Sequence, residues 1–215
     1  MNPSLIIAVI GGTGKSGSYL VKQLLNQGYQ LKLLLRNPDK LQIKSPKIEI
    51  ITGDINDYTT IYQLIKGCDA VISTLGLGIP ASEPTIFSQS SSNVLKAMNE
   101  LAVRRYIVTT GLNVDTPFDK KTGTTAFGTD WMKKTFPLST ANKQLEYDIL
   151  KASSIDWTLV RLPLIELTDE VGEVTASLED CPGEKISATD LADFLIEQLT
   201  DRRFIQKAPF VASKI

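Results

Sequence analysis

Short apolar runs alternate with stretches of helical spacing along most of the chain. Leu5 to Ile10 contains no polar residue, the pattern of a strand buried on both faces. The spacing Tyr19, Leu20, Leu24, Leu25 then predicts an amphipathic helix that ends at Gly28. A second run, Leu31 to Leu35, closes at Arg36. Further strands are predicted over Ile48–Ile51, Asp69–Thr74, Tyr106–Thr110 and Trp157–Val160. Helices fall between them. One runs from an Asp57 N-cap through Ile65 and stops at Gly67. The next spans Thr85 to Leu101, with Ile86, Val94, Leu95, Met98 and Leu101 inward. Another spans Ser139 to Ser153, capped by Ser139, with Leu145, Ile149 and Leu150 on one side. Strand and helix in strict alternation with short connections require a parallel, doubly wound α/β sheet of three layers, α/β/α.

Two stretches break the rhythm. Asp115 to Pro137 is rich in Thr, Gly and Lys and carries Phe118, Phe127, Trp131 and Phe136. It is expected as a long loop over the carboxyl edge of the sheet, either a substrate lid or an exposed insertion. Residues 164–184 are polar, acidic and expected to be irregular. Ser187 to Asp190 cap a last helix, Leu191 to Leu199, and Pro209 to Ala212 reads as an edge strand. The expected organisation is one dinucleotide-binding Rossmann domain over residues 1–215, with a small substrate region at about 162–190 inside it.

The first strand stops at Gly11-Gly12-Thr13-Gly14-Lys15-Ser16-Gly17. Gly11 allows a tight turn, Gly14 leaves room for a pyrophosphate, and Gly17 lets the helix sit close on the sheet. The helix starting near Lys15 aims free amides and a positive dipole end at the phosphates. The spacing is Gly-x-x-Gly-x-x-Gly, and Val9 stands where a Walker loop needs its first glycine. At the end of the second strand, an acidic residue would accept bonds from the ribose hydroxyls of NAD(H). Arg36 stands there instead, and a guanidinium suits a 2′-phosphate, so the expected cofactor is NADP(H).

Composition narrows the chemistry further. The 215 residues contain no histidine, which removes His-based triads, His metal ligands and His acid–base catalysis. No cluster of Cys or acidic residues replaces them, so no metal is expected. Cys68 and Cys181 are far apart, which argues against a disulfide framework and for a reducing, cytoplasmic setting. A net charge of −1 gives no basic footprint for nucleic acid or an acidic membrane, and no apolar run is long enough to span a bilayer.

These features together resemble the short-chain dehydrogenase/reductase superfamily, and more narrowly its atypical branch of NmrA-like proteins and the biliverdin reductase B/flavin reductase type. The glycine motif and Arg36 carry the resemblance. Gly53-Asp54, with Ile55, is similar to the site after strand three that approaches the adenine, and Thr74-Leu75-Gly76 stands where the superfamily often has Asn-Ala-Gly. The segment Ser154 to Pro163 resembles the branch's "helix end, strand, Arg-Pro" segment, and Ser187 to Phe194 its late helix.

The resemblance implies a catalytic Ser followed by Tyr-x-x-x-Lys, and here the chain departs from it. Thr109 or Thr110 occupies the serine region and Lys143 matches the lysine, which leaves Ser139 in the tyrosine place. Tyr147 and Lys151 do form a Tyr-x-x-x-Lys, but about eight residues further along, roughly 12 Å at helical rise. Tyr147 is therefore expected to pack rather than react.

Two functions fit. One is an NADPH-dependent reductase passing hydride to a planar acceptor such as a flavin or quinone, where alignment matters more than a positioned acid. Thr109, Thr110 and Lys143 would be its catalytic residues, Lys143 also holding the cofactor ribose. Asn113 would join the threonines in binding acceptor carbonyl edges, and Phe127 or Trp131 would stack on the acceptor. The other is a non-catalytic NADP(H)-binding sensor of the NmrA-like type. Either is expected as a monomer or homodimer.

Overall fold

β1 (Ile6–Ile10) lies inside the sheet because nothing in its sequence tolerates water: Ile7, Ala8 and Val9 are fully buried. The computed structural model describes residues 5–77 and 83–214, and Lys214 by its backbone only. The fourth predicted strand runs into Leu75-Gly76-Leu77-Gly78-Ile79-Pro80, expected from its sequence as a glycine-rich loop, and residues 78–80 of it lie outside the described residues. In chain order the elements are α1 (Lys15–Asn26), β2 (Gln30–Leu35), a short 3-10 turn (Pro38–Lys40), β3 (Ile48–Thr52), α2 (Tyr58–Ile65) and β4 (Ala70–Ser73). They continue with α3 (Ile86–Glu100), β5 (Arg105–Gly111), α4 (Gly123–Thr135), α5 (Pro137–Ala152), β6 (Asp156–Leu162) and β7 (Leu164–Glu166). The last are β8 (Glu173–Ser177), β9 (Lys185–Ser187), α6 (Ala188–Glu197) and β10 (Phe210–Lys214).

The main sheet has the order β3-β2-β1-β4-β5-β6-β10-β8, parallel throughout except for β8, which runs antiparallel to β10. β7 and β9 form a separate parallel pair. Alternate side chains feed two cores. Ala8 and Ile10 face α2, α3 and α5, whereas Ile7 and Val9 face α1 and α6. This is the Rossmann-like α/β architecture the alternation requires. Chain order reverses at β1, leaving a crevice between the carboxyl ends of β1 and β4, where open α/β sheets bind ligands.

Several expectations are corrected. Asp115–Pro137 is not a loop: it contains α4, which packs with Thr125 and Thr129 rather than with an apolar stripe. Residues 164–184 are not irregular, since β7 and β8 lie within them. Pro209–Ala212 is not an edge, because β10 sits between β6 and β8. Ser139 does not cap α5, which begins at Pro137 with its fixed φ in the first turn. Leu145 is 49% exposed and so lies off the buried face of α5.

One buried residue ties the later elements together. Arg161, on β6, donates from Nε to the Ala208 carbonyl (2.8 Å) and from Nη2 to the Leu178 carbonyl (3.2 Å). Its Nη1 donates to the Val114 carbonyl (3.1 Å) and to Asp119 Oδ1 (2.6 Å). The guanidinium also lies 3.5 Å from the centre of the Phe210 ring.

Candidate functional site

The turn after β1 is shaped by contacts that only hydrogen side chains permit. Gly11 has φ +82°, and a Cβ there would lie 2.8 Å from the Thr74 carbonyl oxygen. A Cβ on Gly17 would lie 2.0 Å from the Gly11 carbonyl oxygen. Gly17 therefore lets α1 close on the turn, and its Cβ would also lie 2.8 Å from the hydroxyl of Thr74, the residue after sheet strand β4. Thr74 completes the crevice from the other side, its hydroxyl donating to the Ile10 carbonyl at 3.3 Å, with Leu75 half-buried and Gly76 exposed beyond it.

Gly14 is the N-cap of α1, and no side chain caps it. The first amides of a helix have no intrahelical partner, so they open toward the crevice with the positive end of the dipole. Thr13, Gly14 and Lys15 are exposed around it and Ser16 is half-buried. A glycine-rich turn beside an uncapped helix start fits a dinucleotide pyrophosphate.

A cleft of about 440 Å³ adjoins this turn, lined by Thr13, Gly14, Lys15, Lys22 and Lys40 with Asp169. Lys22 is held by Asp169 at 2.8 Å. Arg36 follows β2 directly and is exposed. Lys40 closes the 3-10 turn that Asn37 caps, which brings its side chain to the cleft beside the glycine turn with Lys15 and Lys22; Arg36 is not among the residues that line the cleft. Sequence reasoning passed over Lys40; its signal was a lysine one short turn beyond Arg36. Asp54 accepts a bond from the Asn56 amide at 2.8 Å, which turns the chain after β3, and Ile55 is buried beneath it.

The carboxyl end of β5 gathers the remaining polar residues. Thr109 donates to the Ser73 carbonyl at 3.4 Å, tying β5 to β4. Thr110 is buried, and the Lys143 ammonium reaches its hydroxyl at 3.4 Å from α5. That ammonium lies 3.9 Å from the centre of the Phe87 ring, a cation–π contact. Burial lowers the Lys143 pKa, opposed by the charge of Glu146 one turn further along α5. Asn113 is 1% exposed, and neither amide atom has a hydrogen-bond partner among the described residues.

Phe127 and Trp131 stand elsewhere on α4, on the face opposite Thr125 and Thr129. Thr129 donates to the Leu112 carbonyl, whereas Phe127 is 73% exposed and Trp131 makes an edge contact with Phe136. Tyr147 is buried with its ring edge-on to Trp157, centroids 6.1 Å apart. Among the described residues no helix is long and apolar enough to cross a membrane, and no group of three or more Cys, Asp and Glu is placed to hold a metal ion.

Residues 11–202 match the model of a family described as NAD(P)H-binding. The chain belongs to that family. Its relatives include cinnamoyl-CoA reductase 1 of Petunia hybrida, 30% identical over 122 residues, or 50% of this chain and 35% of that protein. The chain spans about a third of the length of curated relatives it matches. Two solved structures share the fold. One is the oxidoreductase ylbE of Lactococcus lactis, with TM-score 0.78 and 18% identity over 98% of this chain and 91% of that one. The other is a wide-type short-chain dehydrogenase/reductase of Veillonella parvula in complex with NADP, with TM-score 0.78 and 14% identity over 98% of this chain and 95% of that one.

Proposed function

We propose that this NAD(P)H-binding chain is an NADPH-dependent oxidoreductase that passes hydride to a planar acceptor such as a flavin or quinone. The observation that carries the reading is what surrounds the end of β5. Two threonines, a half-buried lysine and an unpaired buried amide meet there, while the nearest Tyr-x-x-x-Lys phenol is packed against Trp157. Such a site orients, and it lacks a phenol placed to protonate an alkoxide. The bound reduced nicotinamide supplies the hydride. Lys143 would hold the nicotinamide ribose, Thr109, Thr110 and Asn113 the carbonyl edge of the acceptor, and residues 162–190 a wall of the pocket.

The preference for NADPH over NADH rests on Arg36, supported by Lys40 in the adjoining cleft. A charged hydrogen bond contributes about 1.5–3 kcal/mol, or roughly 10- to 150-fold in affinity. Arg36→Ala is expected to weaken NADPH binding by that factor and NADH binding little. Equal losses for the two would remove the 2′-phosphate role.

The decisive assay is NADPH oxidation at neutral pH with FMN, FAD and a small quinone, beside calorimetric titration of NADP+. Turnover with one of the three supports the reductase. Binding without turnover favours a non-catalytic redox sensor, a reading to which the exposed Phe127 and Trp131 on α4 lend a partner-facing surface.

A further inference from the structure

α5 turns a second ionisable group toward the core, one that the proposed reaction does not use. Glu146 is 3% exposed. One carboxylate oxygen accepts from the Ser91 hydroxyl of α3 at 2.6 Å, and the other, Oε2, has no hydrogen-bond partner among the described residues. Ser91 in turn lies 3.3 Å from the Tyr106 hydroxyl of β5. A buried carboxylate with half its accepting capacity unmet is costly as an anion. Burial accordingly pushes its pKa up to about 7, against the opposing pull of the Lys143 charge and the Ser91 bond. Lys143, one turn earlier, shows the converse: burial favours its neutral form and Glu146 favours the charged one.

The charged and titratable groups facing this carboxyl are few. Lys143 comes from its own helix and Tyr106 from β5, where burial raises the phenol far above the physiological range. α3 contributes the uncharged Ser91 hydroxyl, and its Phe87 ring carries the Lys143 ammonium. Glu146 and Lys143 thus lie one helical turn apart in one buried cluster between α3, α5 and β5, Lys143 on Phe87 and Thr110 and Glu146 on Ser91, with no direct contact between the two charges among the described residues.

We propose that Glu146 is a positioning residue for Lys143: from one helical turn away in the same buried cluster, its half-satisfied carboxylate holds the ammonium beside Thr110. The role in cofactor handling rests on Lys143 facing the dinucleotide, as proposed above. When Glu146 loses its proton, the Lys143 charge is secured; when it regains the proton, the ammonium is left to its apolar neighbours.

The test is NMR of protein labelled with 13C at the lysine ε-carbon, with the Lys143 signal assigned through Lys143→Arg and followed from pH 5 to pH 10. The wild-type signal is expected to show two inflections, the first from Glu146 near neutrality and the second its own. Glu146→Gln keeps the size of the side chain and an acceptor for Ser91. It is expected to lose the first inflection and to move the second down by about half a pH unit or more. A purely space-filling Glu146 would leave the Lys143 titration unmoved in this variant, and that result overturns the proposal. Ser91→Ala gives a second route, since losing its bond to the carboxylate is expected to raise the first inflection; an unchanged first inflection overturns the proposal equally. Adding NADP+ to the wild type tests the underlying assignment separately. A Lys143 signal that ignores the nucleotide removes Lys143 from the cofactor site, while the titrations still judge its coupling to Glu146.

Discussion

Replacing Arg161 by Met is expected to lower stability more than a change in most other polar side chains of this fold. The side chain is fully buried, and four of its bonds reach parts of the chain distant in sequence: Val114, Asp119, Leu178 and Ala208. Met fills similar space and retains contact with the Phe210 ring, so the loss is mainly polar. It leaves three carbonyls and a mostly buried Asp119 carboxylate without this donor. Removing one partner of a buried ion pair costs about 3–5 kcal/mol. Asp119 keeps a bond from the Thr116 amide and the more distant Lys121 ammonium at 3.4 Å, which places the expectation at the lower end. In a domain of this size about 3 kcal/mol corresponds to a fall in Tm of roughly 6–12 °C. Urea unfolding and thermal melts of the wild type, Arg161→Met and the double variant with Asp119→Asn measure it. The double variant is expected to recover part of the loss, because neutralising Asp119 removes the stranded charge. A single-variant Tm within about 2 °C of wild type, or a double variant that adds the two losses in full, would refute the reasoning.

Other consequences can be checked in the same preparations. Gly17→Ala is expected to weaken NADP+ binding at least about tenfold and lower the Tm, since its Cβ collides with the Gly11 carbonyl; calorimetry showing unchanged affinity would contradict the turn geometry. Lys40→Ala is expected to weaken NADP+ several-fold and NAD+ hardly at all, by titration of both. Glu146 titrates at about 7 in the folded chain against an ordinary 4.5, so the folded state holds its proton longer. Its contribution to stability is therefore fullest below the ordinary value and falls as pH rises toward 7. Relative to Glu146→Gln, the wild type is expected to lose up to about 3 kcal/mol between pH 4.5 and pH 8, read from urea midpoints. A difference between the two that does not vary with pH would exclude it.

The first six strands were legible because each is a mainly apolar run too short for a buried helix, and their alternation with helices requires a parallel, doubly wound sheet, though not its strand order. α4 was not legible. Its buried side is Thr125 and Thr129, while its large side chains Phe127 and Trp131 face outward, which inverts the pattern that marks a helix. β8 was hidden for a related reason: a polar edge strand has little apolar surface to display. At the site, the glycines announced themselves because their spacing has one mechanical explanation. Lys40 did not, since a lysine after a turn is ordinary until the chain folds it into the same cleft as Gly14. Glu146 was equally silent: helical glutamates are normally solvated, and only its place between Lys143 and Leu150 on the inward face of α5 could have flagged it.

The position of β10 makes assembly of the sheet depend on order of synthesis. It follows every other described strand in sequence, yet it lies between β6 and β8. Until residues 210–214 have left the ribosome, one edge of β6 is uncovered there and β8 has no strand to join in this sheet. The half from β1 to β5, which carries the glycine turn, has all its strands far earlier. A nascent chain therefore exposes a raw sheet edge on one side while the crevice between β1 and β4 on the other already has both its strands. Early nucleotide binding to that half would act as a folding aid, stabilising the sheet by mass action during the interval before its last strand arrives.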